Sequence, residues 1–306
     1  MRPVVSIIIP NYNHKPFLQQ RLDTVFSQTY QDFEVILLDD ASTDGSETLL
    51  NSYKNHPKVS HVIINKENSG SPFKQWEKGL KLAQGDFVWI AESDDYCELD
   101  FLEHMIGFMS RNTSIGLLYC QTTDVDKDGI MLQNRINYTS TFKPNLWKDD
   151  FSIEGLEFVS KYLSVKNVIP NASAVVFRKK YMQATIFSED LLNMRMCGDW
   201  FFWTQLALNT NVGFLAKSMN YFRNHESISR NHLDLKTKKE RLLEEGIIQY
   251  YIKKEGLNNH VAEIELYKKW FVLHSFFLIF NPAFYNIKFS ETSTFSFLKH
   301  YFKFKF

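Results

Sequence analysis

The sequence is short of the features that mark several large protein classes. Its 306 residues hold three cysteines, Cys97, Cys120 and Cys197, far apart and without a CxxC pair. That argues against a disulfide framework or a cysteine zinc site and fits a reducing compartment. Neither sign of charge is in excess, since 35 Lys and Arg balance 35 Asp and Glu, so no nucleic acid partner is expected. Long apolar runs are missing as well. The longest, residues 270–280, is interrupted by His274 and falls short of the roughly 20 residues that cross a bilayer. Neither GxGxxG nor GKS/GKT occurs, which sets aside dinucleotide and P-loop sites. There is no internal repeat and no low-complexity linker, and the first residues lead straight into a strand rather than a signal peptide. Three glycosylation sequons, at 112–114, 137–139 and 171–173, carry no meaning in the cytoplasmic protein that this pattern predicts.

What is abundant is aromatic: 15% of the residues, 27 of them Phe. The length allows a sizeable core, as one large domain or one domain with an appendage. Residues 4–9, 33–38, 59–64 and 87–91 read as buried strands. Helical spacing at 16–27, a helix start near Ser46 and a helix over 72–83 alternate with them. This alternation predicts an α/β fold, a parallel sheet with helices on both faces. A helix over 100–110 and a strand over 115–120 follow. Residues 121–150 are polar and turn-rich, with a hairpin turn at 126–129. Beyond them come a helix over 153–163, a strand over 174–178 and a helix opening at Asp199. Two extended segments, 212–215 and 219–223, precede about two helices reaching residue 280, and an aromatic, basic tail begins at Asn281.

The chemistry is concentrated in two acidic turns. Asp39 and Asp40 follow the apolar run 35–38, and Glu92, Ser93, Asp94 and Asp95 follow the run 87–91. Each cluster therefore belongs at the carboxyl end of a parallel strand, where open α/β sheets bind ligands. Carboxylates gathered there repel one another unless a cation or hydrogen-bond donors compensate, which points to a nucleotide diphosphate carried with a divalent metal. Asp39 and Asp40 can accept from a base N–H or from ribose hydroxyls, or can serve as a turn and helix cap. The cluster at 92–95 can hold Mg²⁺ or Mn²⁺, or can be the acidic start of the next helix.

Other residues carry weaker signals. Tyr12, in the Pro10-Asn11-Tyr12-Asn13 turn, can stack on a base or pack on the first helix, and the Asn side chains hold the turn. Asp199 can be a general base toward an acceptor hydroxyl or a plain cap for a helix buried by its aromatics. His225 is a metal ligand or a structural histidine.

Taken in order, SIIIPNYN (6–13), LLDDASTDGS (37–46), Asn68-Ser69-Gly70, AESDDY (91–96), CGDWFFW (197–203) and YFRNHESIS (221–229) resemble the family 2 glycosyltransferases of GT-A fold. The resemblance covers about the first 230 residues and implies a catalytic domain over 1–230 with a C-terminal helical extension over 231–306. It implies that the Pro10 backbone, the Tyr12 ring and the Asp40 carboxylate hold the nucleotide base. Asn13, Asp39, Asn68 and Gly70 fall in the same donor-binding set, and Asp94 touches the ribose or donor sugar. Asp95, as the last carboxylate of the family's DxD motif, is implied to bind Mn²⁺ or Mg²⁺, with His225 completing the metal site. Asp199 matches the catalytic base. One departure is Glu92, which stands where many members have Asp. Lys74 is a weaker candidate for phosphate contact.

The implied reaction is inverting transfer of a sugar from a nucleotide-sugar donor to a glycan or lipid-linked acceptor, in bacterial cell-surface polysaccharide synthesis. The alternatives are a nucleotidyltransferase, for which the Gly-rich basic loop is missing, and a non-catalytic nucleotide-sugar binder. The apolar stretch 270–280, Lys268 and Lys269, and the lysines of the tail predict peripheral contact with an anionic membrane at its inner face.

Overall fold

The computed structural model describes residues 3–225, 234–257 and 259–305. Its first half is a strand–helix alternation: β1 (Val5–Asn11), α1 (Lys15–Phe26), β2 (Phe33–Asp39), α2 (Ser46–Ser52), β3 (Val59–Ile64), α3 (Pro72–Leu82) and β4 (Phe87–Ile90). Every residue of β1, β2 and β4 is buried, as expected of strands without a polar face. They pair in parallel in the order β3-β2-β1-β4.

The second half is mixed. The short strand β5 (Tyr96–Cys97) and α4 (Phe101–Arg111) lead into β6 (Ile115–Val125), which forms a hairpin with β7 (Met131–Asn134). The helix expected over 153–163 is instead β8 (Phe151–Ile153), one turn of α5 (Gly155–Phe158) and a π-helical turn, Val159–Leu163. Then come β9 (Val175–Arg178), α6 (Glu189–Asn193), α7 (Gly198–Ala207) and β10 (Asn211–Arg223). β9 lies antiparallel between β4 and β6, and β6 pairs in parallel with β10. The two extended segments expected at 212–215 and 219–223 are one strand, with register shifts at its start and near Leu215 and Ser218. β10 also pairs antiparallel with β5, Asn220 opposite Cys97 and Tyr221 opposite Tyr96. That pairing holds the acidic turn beside the strand that leads to His225.

Side-chain alternation sorts the core onto the two faces of the sheet. Ile8, Ile36, Leu38 and Val88 pack with Trp76 of α3 and Trp203 of α7. Ile7, Ile9, Val35 and Trp89 pack with Leu22 of α1 and Met105 of α4. A third cluster belongs to α8 (Leu235–Lys254), α9 (His260–Val272) and α10 (Thr294–Lys305), with Trp270, Phe271, Phe297 and Tyr301 at its centre. α8 joins the two regions: Ile248 and Ile252 enter the α3–α7 core, and Leu242 enters the third cluster. The aromatic tail thus contains a third helix beyond the two expected. The boundary expected at 230/231 lies outside the described residues. Among the described residues no helix is long and apolar enough to cross a membrane.

Candidate active site

β1 and β2 end side by side, with Asn11 opposite Asp39. Asn11 Nδ2 donates to Asp39 Oδ2 at 2.7 Å, and Ser42 donates its N–H to Oδ1 at 2.8 Å and its hydroxyl to Oδ2 at 2.7 Å. Asp39 is thereby fully buried and ties two turns together. The turns are tight. Asn13 and Ala41 both adopt left-handed backbone, φ 56° and 61°, and Asn13 Oδ1 accepts the Thr43 N–H at 2.8 Å.

Asp40 points elsewhere. Its carboxylate accepts from Asn65 Nδ2 (2.6 Å), Gln75 Nε2 (2.8 Å) and both the N–H (2.9 Å) and hydroxyl (2.7 Å) of Ser69. It lines a cavity of about 550 Å³ together with Pro10, Tyr12, Asn68, Gly70 and Gln75. Asn68 shapes the rim, accepting the Gly70 N–H at 2.7 Å and donating to the Asp40 carbonyl at 3.2 Å. Tyr12 is 47% exposed at the wall. Three polar atoms of lining residues, Asn11 Oδ1, Ser71 Oγ and Gln75 Oε1, are buried without a hydrogen-bond partner. Buried polar groups are rarely left so, and a polar ligand in the cavity would satisfy them. Asn13 and Asp39, expected among the donor contacts, do not line this cavity; they hold its floor. Lys74 donates to the Ser69 carbonyl at 2.9 Å.

The second acidic turn lies one cavity further on. Trp76 Nε1 donates to Glu92 Oε1 at 2.8 Å. Burial, and then the charge of Asp94, push the Glu92 carboxyl up to about 8. Asp95 accepts from Asn171 Nδ2 at 2.6 Å and from the Arg223 N–H at 3.0 Å, both deep inside the protein. Burial and the neighbouring Asp94 charge raise its carboxyl. Asp94 behaves oppositely. Burial would raise it too, but His14 and a hydrogen bond from His225 outweigh burial and lower it. His225 Nε2 lies 3.0 Å from Asp94 Oδ2, and His14, Asp94 and His225 each offer one ligand atom within 4.8 Å of the others.

Asp95, expected to pair with His225 as a ligand, lines the same cavity as Asp94. The group of three possible ligands among the described residues is Asp94 with two imidazoles, and the oxygens of Asp95 accept from donors on β10 and the 171–173 turn. His14 had no signal in the sequence beyond its place after the Asn13 turn. Its Nδ1 lies 2.9 Å from Ser93 Oγ, which links the first turn to the acidic one. Arg21 likewise carries no signal in the sequence. It is fully buried beneath the turn, donates to the Glu92 carbonyl at 2.9 Å and lowers both Glu92 and Asp95 by its charge.

Asp199 stands in the first turn of α7. Gly198 lets that turn approach α3, since a Cβ there would sit 2.3 Å from the Phe73 ring. The preceding loop is held by Glu244 of α8, whose carboxylate accepts the N–H groups of Arg195, Met196 and Cys197. Asp199 accepts from the Trp200 N–H at 2.7 Å and from Asn167 Nδ2 at 3.1 Å. It lines a second cavity of about 250 Å³ with Glu92, Asp94 and Asp95, and a third of about 210 Å³. His14, Pro72, Glu92 and Arg195 line both the first and second cavities, and Met196 and Asp199 both the second and third. Beyond Asn224 and His225, the YFRNHESIS motif (226–229) lies outside the described residues.

A sheet of this order, with its cleft at the carboxyl ends of β1, β2 and β4, defines the GT-A class of glycosyltransferase fold. TarS of S. aureus (residues 1–349, in complex with UDP-GlcNAc) superposes with a TM-score of 0.61 at 20% identity, over 91% of this chain and 76% of that one. A mannosyltransferase of Pyrobaculum calidifontis, in complex with GDP-Man and Mn²⁺, gives 0.55 at 17% identity, over 89% and 72%. The chain belongs to glycosyl transferase family 2, whose sequence model matches residues 6–161. It is 33% identical over 132 residues to a Bacillus subtilis protein named for teichuronic acid biosynthesis, 41% of this chain and 52% of that one. The chain thus spans about half the length of that relative.

Proposed function

We propose that the chain transfers a sugar from a nucleotide-diphosphate donor to a hydroxyl of a glycan or lipid-linked acceptor, with inversion, in cell-surface polysaccharide synthesis. The observation that supports this reading is three cavities that share lining residues, the first lined by Tyr12 and Asp40, the second by His14, Asp94 and Asp199, and the third by Asp199 and Trp200. The relatives support it through their printed names, a teichuronic acid glycosyltransferase and nucleotide-sugar complexes of the same fold. Residues 1–230 would form the catalytic domain and 231–306 a helical extension that holds the Asp199 loop through Glu244.

In this account the base stacks on Tyr12 and hydrogen-bonds to the unpartnered Asn11, Ser71 and Gln75 atoms, beside Asp40 and the Pro10 backbone. Asn68 and Gly70 border it, and Asn13 and Asp39 fix the turns. One carboxylate and two imidazoles suit a divalent ion, and Mn²⁺ more than Mg²⁺, because imidazole favours transition metals. A divalent ion held by Asp94, His225 and His14 would neutralise charge on the diphosphate. Asp95 sets the position of Asp94 by fixing the turn to Asn171 and Arg223. Arg195, at the join of the first two cavities, offers a further positive charge to the leaving group.

Asp199 takes the proton from the acceptor hydroxyl as its oxygen bonds to the anomeric carbon. The bond from that carbon to the diphosphate oxygen breaks, and the nucleoside diphosphate leaves with the electron pair. A single displacement of this kind inverts the anomeric centre. The test is a panel of nucleotide sugars with Mn²⁺ or Mg²⁺, scored for donor hydrolysis and for product configuration by NMR. One donor standing out, with product of opposite configuration, supports the reading. No metal-dependent binding of any donor removes it.

The C-terminal region suits contact with an anionic lipid surface. Phe277, Phe280 and Phe295 are 79%, 79% and 81% exposed, beside exposed Lys299, Lys303 and Lys305 of α10. Apolar side chains among basic ones bind such surfaces through both insertion and charge.

A further inference from the structure

The third cavity lies on the side of Asp199 away from the nucleotide pocket, where the acceptor must arrive. It is lined by Arg135, Tyr138, Asn167, Asp199, Trp200 and Arg241, among others. Among the described residues, its charged lining consists of two guanidiniums and the Asp199 carboxylate. The described carboxylates that pair with the guanidiniums, Asp124 and Glu245, are not among the lining residues. Asp124 meets Arg135 through Nε at 2.5 Å, and Glu245 meets Arg241 through Nε at 3.1 Å. Glu245 is shared with Lys269, 3.2 Å away, so Arg241 is incompletely neutralised. Among the described residues, both arginines meet acceptors through Nε alone, leaving the terminal N–H groups of each fork for a ligand. Such forks match the two oxygens of a carboxylate or phosphate.

We infer that this cavity is an acceptor subsite for an acidic group: it binds a carboxylate or phosphate carried next to the hydroxyl that Asp199 deprotonates. The inference rests on the transferase reading and names its acceptor class. Arg135 belongs to the 3₁₀ turn Arg135–Thr139, and Arg241 to α8, so the helical region takes part in choosing the acceptor. At about 210 Å³ the cavity holds one monosaccharide unit or one phosphate group, not a second nucleotide, which the first cavity of about 550 Å³ accommodates. The acid comes from a uronic acid residue or from the phosphate of a lipid-linked saccharide, and the experiment separates these.

Trp200 lines the cavity and reports on it. The full chain, labelled with 5-fluorotryptophan, is saturated with UDP or GDP and Mg²⁺ so that the donor site is filled. It is then titrated with methyl glucuronide, glucose 1-phosphate or methyl glucoside while the Trp200 resonance is followed. The expected result is that one or both acids bind at least tenfold tighter than the neutral glucoside. The tighter acid identifies the source as uronate or phosphate. Arg241→Gln and Arg135→Lys should each reduce that preference at least tenfold. The lysine keeps a charge beside buried Asp124, so loss of preference there reports the missing fork rather than a damaged fold. Equal binding of acids and glucoside, or a preference that survives both substitutions together, overturns the inference alone. Failure of the wild-type chain to bind either nucleotide overturns the transferase reading, and this inference with it.

Discussion

Two pairs of adjacent aspartates close the strands of this sheet, and they are built differently. In the pair at β2 both carboxylates are satisfied by neutral donors: Asp39 by Asn11 and Ser42, Asp40 by Asn65, Ser69 and Gln75. Both carboxylates are buried, and N–H and O–H groups stand in for the water they lose. In the pair after β4 only Asp95 is treated this way, by Asn171 and Arg223. Asp94 meets two imidazoles at the cavity wall instead. A carboxylate facing neutral donors suits a frame, whereas one facing other metal-ligating groups suits the ion-sharing role proposed for it. Identical residues after two strands of one sheet thus differ in what faces them, and the proposed roles follow that difference.

The largest break in this comparison is expected outside both pairs, at Asp199. Asp199→Asn should lower transfer by roughly 10³-fold, within the usual range for removing a general base, while nucleotide binding holds. Turnover and nucleotide affinity measured on one preparation check it, and near-normal turnover would remove Asp199 from the base role. Next comes Asp39. Asp39→Ala leaves Asn11 and Ser42 without their acceptor, at a cost of about 1–3 kcal/mol. A fall in Tm of roughly 2–4 °C per kcal/mol should follow. An unchanged Tm would show that Asp39 is not a scaffold residue. Smaller still is the strain at Ala41, whose φ of 61° suits glycine better. Ala41→Gly should shift stability by no more than about 1–2 kcal/mol, in the stabilising direction unless lost chain rigidity offsets it. Thermal melts check this, and a large loss would mean that the Ala41 methyl is needed for packing. The smallest effect on the protein itself concerns the helical region. Phe277→Ser with Phe280→Ser should leave Tm and soluble-substrate turnover unchanged but release the protein from phosphatidylglycerol vesicles. Equal sedimentation of variant and wild type would remove that surface from membrane contact.

Much of the parallel half of the sheet is legible in the sequence, because runs such as residues 35–38 and 87–90 have no polar face and must be covered on both sides. The acidic turns are legible for the same reason: a fully buried strand can present carboxylates only at its end. What the sequence hides is which neighbour faces the cleft. The partners of Asp95 lie at Asn171 and Arg223, far along the chain, and no local pattern marks them. His14 is similarly silent, since its role depends on β5 pairing with β10 to bring Asp94 and His225 within reach. The third C-terminal helix is hidden because its buried Phe297 and Tyr301 are surrounded by equally aromatic residues that stay exposed, such as Phe295 and Phe302.

The division between Asp94 and Asp95 is the centre of the account, and calorimetry of Mn²⁺ binding in the presence of UDP or GDP tests it directly. The wild-type chain should bind the ion together with the nucleotide. Asp94→Asn, and His14→Ala with His225→Ala, should lose the metal-dependent part of nucleotide binding with little change in Tm. Asp95→Asn should keep metal-dependent binding but melt several degrees lower, since its oxygens serve Asn171 and Arg223. Metal binding lost in Asp95→Asn at unchanged Tm, and retained in Asp94→Asn, would contradict the assignment.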